Sequence, residues 1–234
     1  MPDRPPAVID HPSPNFGDRR GRTVDTLVIH YTGMKSAAAS LERLSDPAAE
    51  VSAHYLIDED GTLYAMVAEQ DRAWHAGVGF WRGETDLNSV SIGIELQNPG
   101  HEWGYRPFPD AQITALIGLC QGILARHAIP AVNVIGHSDL APRRKADPGE
   151  LFPWKRLAEA GIGLWPGEFR PAPADFDLHQ ALTRIGYDIS DPEKEEATLR
   201  CIQHRFLPSG VNREADRTLR DVIYTVAALY DEAL

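Results

Sequence analysis

Short apolar runs, too brief for helices and separated by turn residues, recur along the first two thirds of the chain. Thr26 to Tyr31 reads TLVIHY, and similar runs follow at His54 to Asp58, Leu63 to Val67, Val90 to Gln97 and Val132 to Ile135. β-Branched and aromatic residues fit a pleated, half-buried surface, so each run predicts a strand. The turn signature Glu59-Asp60-Gly61 joins the second run to the third as a hairpin, which makes part of the sheet antiparallel. Between the last two runs, Asp110 to His127 carries Ile113, Leu116, Ile117, Cys120 and Leu124 at helical spacing, with Asp110 as the expected N-cap. The pattern predicts an α/β fold, a central mixed β-sheet flanked by helices.

A chain of 234 residues has room for one core plus a smaller satellite, since single domains cluster around ~100–200 residues. Residues 1–23 are rich in Pro, Asp and Arg and lack periodicity, so they read as an extended arm, with order expected from Val24. Pro166 to Ala174 concentrates Pro and small residues, which predicts a linker at 168–174 and closes a first domain at 24–167. Beyond it, Leu178, Leu182 and Ile185, then Leu199, Ile202 and Phe206, then Leu219, Val222, Ile223 and Val226 follow helical spacing. A small three-helix domain at 175–234 is expected.

A formal net charge of -11 argues against a nucleic-acid partner, because phosphate neutralisation needs clustered Lys and Arg. Membrane insertion is not expected either, since no apolar run approaches the ~18 residues a spanning helix requires. The N-terminal stretch has no apolar segment behind a basic one, so a cytoplasmic location is expected, or a periplasmic one where a leader has been removed. Cys120 and Cys201 lie in different expected domains on helical apolar patterns, and read as two buried free thiols.

Three residues stand where a metal could use them. His30 ends the first strand run, His137 follows the last, and Asp147 lies ten residues after His137 in a loop containing Pro and Arg. A catalytic zinc takes three protein ligands and keeps a fourth position for water. Spacing alone leaves each of them open, because a His at a strand end is more often packed or hydrogen-bonded than metal-bound.

Read together, five ordered strings carry more weight: VIHYT at 28–32, VSAHYLIDEDGTLY at 51–64, AWHAG at 73–77, SIGIELQNPG at 91–100 and GHSDLAPRRKADPG at 136–149. Over about residues 24–165 the series resembles the type 2 N-acetylmuramoyl-L-alanine amidases, the group related to peptidoglycan recognition proteins and phage T7 lysozyme. Within that group it is most similar to the bacterial anhydro-muramyl-peptide amidase branch. The resemblance implies a peptidoglycan-recognition-like mixed sheet, Zn2+ as cofactor, and His30, His137 and Asp147 as its ligands. An Asp in the third place, where some relatives have Cys, leaves a harder site of nitrogen and oxygen donors.

Hydrolysis at such a zinc needs a group that takes a proton from water and returns one to the leaving amine. Strand alternation sets Ser91, Gly93, Glu95 and Gln97 on one face and Ile92, Ile94 and Leu96 on the other, which makes Glu95 the candidate. Lys145 matches the lysine that the family aims at the oxyanion. Relatives of the phage type carry Tyr before the His of the second motif, whereas Ala53 precedes His54 here, and this shifts proton transfer further onto Glu95. Tyr31, His75 and Arg143 are candidate substrate contacts, while His54 and His75 also read as residues that orient neighbours. Trp74, Trp81, Trp103 and Tyr105 lie in loop-like segments and read either as faces for sugar or peptide or as core.

The C-terminal region, with Ile185-Gly186-Tyr187 and Leu199 to Phe206, is similar to three-helix peptidoglycan-binding domains over about 175–234, although Cys201 departs from their pattern. The implied activity is hydrolysis of the amide between N-acetylmuramic or 1,6-anhydro-N-acetylmuramic acid and L-Ala, in peptidoglycan or in soluble muropeptides. A recognition protein that binds without cutting and a phage-type lytic amidase are the other readings.

Overall fold

The computed structural model describes residues 8–210 and 216–233. The chain divides into two compact units, one made of Met1–Gly77 and Asp86–Ile129, the other of Val78–Thr85 and Pro130–Leu234.

In the first unit the strands are β1 (Val8–Asp10), β2 (Phe16–Gly17), β3 (Thr26–Tyr31), β4 (Tyr55–Ile57), β5 (Leu63–Ala65), β6 (Arg72–Ala73) and β7 (Ser91–Leu96), and the helices are α1 (Ala37–Ser45), α2 (Leu87–Val90), α3 (Gly100–Trp103) and α4 (Asp110–Arg126). The sheet of this unit runs in the order β1, β5, β4, β7, β3, while β2 and β6 form a separate antiparallel ribbon. The β4–β5 hairpin is antiparallel, and β1–β5, β4–β7 and β3–β7 are parallel, so the sheet is mixed as expected. The hairpin closes through Asp58 N–H donating to Thr62 O at 2.9 Å and Gly61 N–H donating to Asp58 O at 3.0 Å, with Gly61 at φ +88°.

β3 and β7 are buried along nearly their whole length, and Leu27, Val28, Ile29, Ile92 and Ile94 are each fully buried. Leu41 and Leu44 of α1 pack on Leu56 and Met66. Leu56 is registered with Glu95, and Glu95 with His30, so α1 packs on the sheet face that carries both candidate site residues. α4 buries Ile113, Leu116, Cys120 and Ile123, and the Gln112 amide donates to Ile57 O and Gln97 O at 2.9 and 3.0 Å. Pro109, rather than Asp110, is the N-cap; Asp110 falls in the first turn, where its charge complements the helix dipole.

The expected arm is corrected from residue 8 onward, and residues 1–7 of it lie outside the described residues. β1 adds to the sheet edge beside β5, and Asn15 donates to Asp46 O and Val51 O at 2.8 and 2.9 Å. Arg19, 6% exposed, donates to Glu69 O, Ser89 O and Ser91 O. Tertiary hydrogen bonds, not local periodicity, order this segment.

The second unit holds β8 (Val134–Gly136), α5 (His137–Leu140), α6 (Trp154–Glu159), α7 (Leu178–Ile185), α8 (Pro192–Phe206) and α9 (Arg217–Glu232). Asp177, Asp191 and Asp216 cap α7, α8 and α9 by accepting backbone N–H bonds. Leu182, Ile202, Val222, Ile223 and Val226 of these helices are buried, as their spacing predicts. The expected linker at 168–174 falls inside this unit, which takes in Pro130–Leu234. Cys120 and Cys201 are free and buried, as expected. Among the described residues no helix is long and apolar enough to cross a membrane.

Candidate metal centre

His30 is the fifth residue of β3 and is 1% exposed. Its Nε2 lies 3.0 Å from His75 Nδ1, and His75 Nε2 lies 3.1 Å from Ser91 Oγ. Ser91 Oγ donates its single proton to Leu87 O at 2.5 Å, so it accepts from His75 Nε2–H. A neutral His75 then accepts at Nδ1 from His30 Nε2–H, which puts the His30 lone pair on Nδ1, where a metal can use it. Asn88 Oδ1 fixes the His75 backbone by accepting from the N–H groups of His75 and Ala76 at 3.0 and 2.8 Å. The His75 ring lies on Gly93, where an added Cβ would meet its Cγ at 2.4 Å. Glycine is what lets the ring approach the strand.

Buried in this way, His75 does not suit the substrate contact expected of it; both ring nitrogens are engaged by His30 and Ser91. His54 is fully buried, and its Nδ1 accepts from Gly93 N–H at 2.9 Å. Burial, and then the Arg19 charge beside it, lower its pKa to about 3, so it serves as a neutral tie between strands. Glu95 lies in β7 directly opposite His30. Tyr31 Oη lies 3.0 Å from His101 Nδ1, and His101 stacks on Tyr105 with centroids 4.3 Å apart. Trp103 is 51% exposed with Lys35 Nζ 4.2 Å from its ring centroid, whereas Trp81 is buried against Tyr187 and Tyr230 as core.

In the second unit β8 leads straight into α5, whose first residue is His137. Gly136 sits against Pro148, since a Cβ there would meet Pro148 Cδ at 2.6 Å, and Ser138 N–H donates to Asp147 O at 2.9 Å. The turn and the later loop are thereby held together, and His137 Nδ1 and Asp147 Oδ2 are 3.1 Å apart. Both side chains are buried. Lys145 is exposed two residues before Asp147, and its N–H donates to Ala141 O at 3.0 Å. Arg143 pairs with Glu193 at 2.5 Å on the surface, and Arg144 donates to Val78 O.

His30 in the first unit and His137 and Asp147 in the second are each buried and each carry a side chain able to bind a metal. Two ligands bound tetrahedrally at ~2.0–2.1 Å stand a little over ~3 Å apart, so the 3.1 Å between His137 Nδ1 and Asp147 Oδ2 suits shared coordination. The residues fit a zinc site of two imidazoles and a carboxylate. Ser91, Asn88 and Asp139, which orient these ligands or their turn, carry no sequence signal of their own, because their partners are distant in the chain.

The profile of the family described as N-acetylmuramoyl-L-alanine amidase matches residues 20–150, more than half of the chain. The chain is 38% identical over 235 residues to the N-acetylmuramoyl-L-alanine amidase AmiD of Escherichia coli strain K12, covering 89% of this chain and 84% of that protein. The structure of AmiD with anhydro-N-acetylmuramic acid-L-Ala-D-gamma-Glu-L-Lys matches with a TM-score of 0.77 over 91% of this chain and 90% of that one. AmpDh3 from Pseudomonas aeruginosa, in complex with anhydromuramic pentapeptide, matches with a TM-score of 0.80 at 34% identity, covering 94% of each chain. A shorter match, 42% identical over 107 residues, joins 46% of the chain to 55% of the 1,6-anhydro-N-acetylmuramyl-L-alanine amidase AmpD of Enterobacter cloacae.

Proposed function

The chain belongs to the N-acetylmuramoyl-L-alanine amidase family, and on that premise we propose that His30, His137 and Asp147 hold a zinc ion with which it hydrolyses the amide between anhydro-N-acetylmuramic acid and L-Ala. The observation that carries this reading is the buried pair of His137 Nδ1 and Asp147 Oδ2, 3.1 Å apart, together with a buried His30 whose Nε2 is engaged by His75 and whose Nδ1 is left to take a metal. A zinc ion held by these residues supplies a Lewis acid for the scissile carbonyl and the attacking water.

Glu95 takes the proton from the attacking water and returns it to the leaving L-Ala nitrogen, from a strand position set beside His30 by the β3–β7 ladder. His75 holds His30 by accepting its Nε2–H, and Ser91 holds His75. Lys145, on the loop that ends in Asp147, faces the oxyanion that develops on the carbonyl oxygen. Arg143 and Tyr31 contact the stem peptide and the sugar at the rim, with Arg143 exchanging Glu193 for a substrate carboxylate.

Soluble anhydro-muropeptides are the proposed substrate, in keeping with the ligands bound by AmiD and AmpDh3. The test compares release of L-Ala peptides from purified anhydro-muropeptides with clearing of intact sacculi. Turnover of the soluble substrate well above sacculus clearing is expected. Clearing without turnover of the soluble substrate would favour a lytic amidase, and binding without cleavage a recognition protein.

A further inference from the structure

We propose that Asp139 is a positioning residue for the metal centre, and that Tyr187, between α7 and α8, and Cys201 and Arg205 of α8 hold it in place. The inference rests on the reading of His137 and Asp147 as metal ligands.

α5 is four residues long and is closed by Ala141 N–H donating to His137 O at 3.0 Å. One turn of helix fixes little by itself, because its nucleation costs more than its single bond returns. Its third residue, Asp139, is 1% exposed, and a carboxylate removed from water needs partners for both oxygens. Oδ2 accepts from Gly136 N–H and from Arg205 Nη1, each at 2.8 Å. Oδ1 accepts from Tyr187 Oη at 2.5 Å and lies 3.3 Å from Cys201 Sγ. Apart from Gly136, all of these donors come from beyond residue 185.

The same side chains grip the flanks of the turn. Arg205 Nη2 donates to Val134 O in β8 at 3.1 Å, and its guanidinium carbon lies 4.0 Å from the centroid of the Trp154 ring on α6. Cys201 Sγ lies 3.5 Å from Ser138 Oγ, and Ser138 N–H donates to Asp147 O. Strand, turn and ligand loop are thus tied to α8 and to Tyr187, the second residue after α7. Burial, followed by the Asp139 charge, raises the Tyr187 pKa well above its ordinary value, which keeps its hydroxyl a donor. Helices that serve only to carry a wall-binding surface have no need of a buried ion pair beside a metal ligand. Here they complete the support of His137.

The experiment measures zinc affinity by competition with a chromophoric chelator, using the full chain below its melting temperature. Tyr187→Phe removes one hydroxyl, and Asp139→Asn keeps the shape while removing the charge. Val226→Ala, in a fully buried apolar position of α9, controls for loss of stability alone. Tyr187→Phe and Asp139→Asn are expected to weaken zinc binding about tenfold, while Val226→Ala lowers the melting temperature and keeps wild-type affinity. Wild-type affinity in both site variants, or an equal loss in Val226→Ala, would overturn the proposal. A wild-type protein that takes up no zinc would remove the metal reading and this inference together; one that binds zinc with the same affinity as Tyr187→Phe and Asp139→Asn would remove this inference alone.

Discussion

His30 and Glu95 stand opposite each other, registered residue to residue across the parallel strands β3 and β7. Registered residues of neighbouring strands point to the same face, with backbones ~4.8 Å apart. The candidate ligand and the candidate general base are therefore spaced by the hydrogen-bond ladder of a buried sheet, which holds them more rigidly than a loop could.

Replacing the carboxylate separates binding from chemistry. Glu95→Gln is expected to retain one zinc while turnover falls by a factor of ~10²–10⁴, the usual contribution of a positioned acid–base group. His137→Ala is expected to lose both metal and activity. Metal analysis beside chromatography of the released peptide checks each, and a Glu95→Gln variant within a few-fold of wild-type turnover would exclude Glu95 from proton transfer.

The relay from His30 through His75 to Ser91 makes its own prediction. His75→Ala should weaken zinc binding by a factor of ~10–100 by releasing the His30 tautomer. His75→Asn places a carbonyl oxygen near the former Nδ1 and should recover part of that loss. Unchanged affinity in His75→Ala would show that His30 is oriented by other means.

Gly93→Ala tests the same relay from the backbone side. The added methyl would lie 2.4 Å from the His75 ring, so the ring must move and its bond to His30 is lost. Weakened zinc binding is expected in a protein that still folds by circular dichroism; wild-type affinity would contradict the account.

Acid stability reports on His54. Its folded pKa, about 3, lies below the ordinary 6.5, so in that interval the unfolded chain binds more protons. The stability that neutral His54 contributes is complete above about pH 6.5 and is lost as pH falls toward 3, at up to ~1.4 kcal/mol per pH unit. Burial pushes Glu69 upward, but hydrogen bonds from Arg126, His127 and Tyr55 outweigh it and bring its pKa to about 2, so its own acid loss begins only below about 4.5. Between about pH 6.5 and 4.5 the difference in urea midpoint between wild type and a His54 variant therefore reports on His54. His54→Asn should flatten the curve there, and parallel curves for variant and wild type would refute the assignment.

The parts of the fold legible in the sequence are those marked by a short apolar run or by a helical period. β3, β7 and the β4–β5 hairpin show as apolar runs bounded by turn residues, which also places His30 and Glu95 on strands, and α4 and the three C-terminal helices show the helical period. β1 and β2 could not, being three and two residues long amid prolines and formed by pairing with distant partners. α5 has too few residues for any period. The stretch Pro166 to Ala174 reads as a linker from its composition, yet the bonds from Tyr187 and Arg205 to Asp139 cross it, and contacts between residues 48 and 66 positions apart leave no local trace. The role of His75 was hidden likewise, since a tautomer depends on neighbours that only the fold supplies.

Mass spectrometry of an anhydro-N-acetylmuramyl peptide, incubated with metal-stripped and zinc-reconstituted protein, decides whether this chain cleaves the amide and needs zinc to do so. No reaction is expected with stripped protein and, after one equivalent of zinc, release of the L-Ala peptide with the addition of one water. Equal cleavage with and without metal, or none in the fully zinc-loaded protein, would contradict the proposed function.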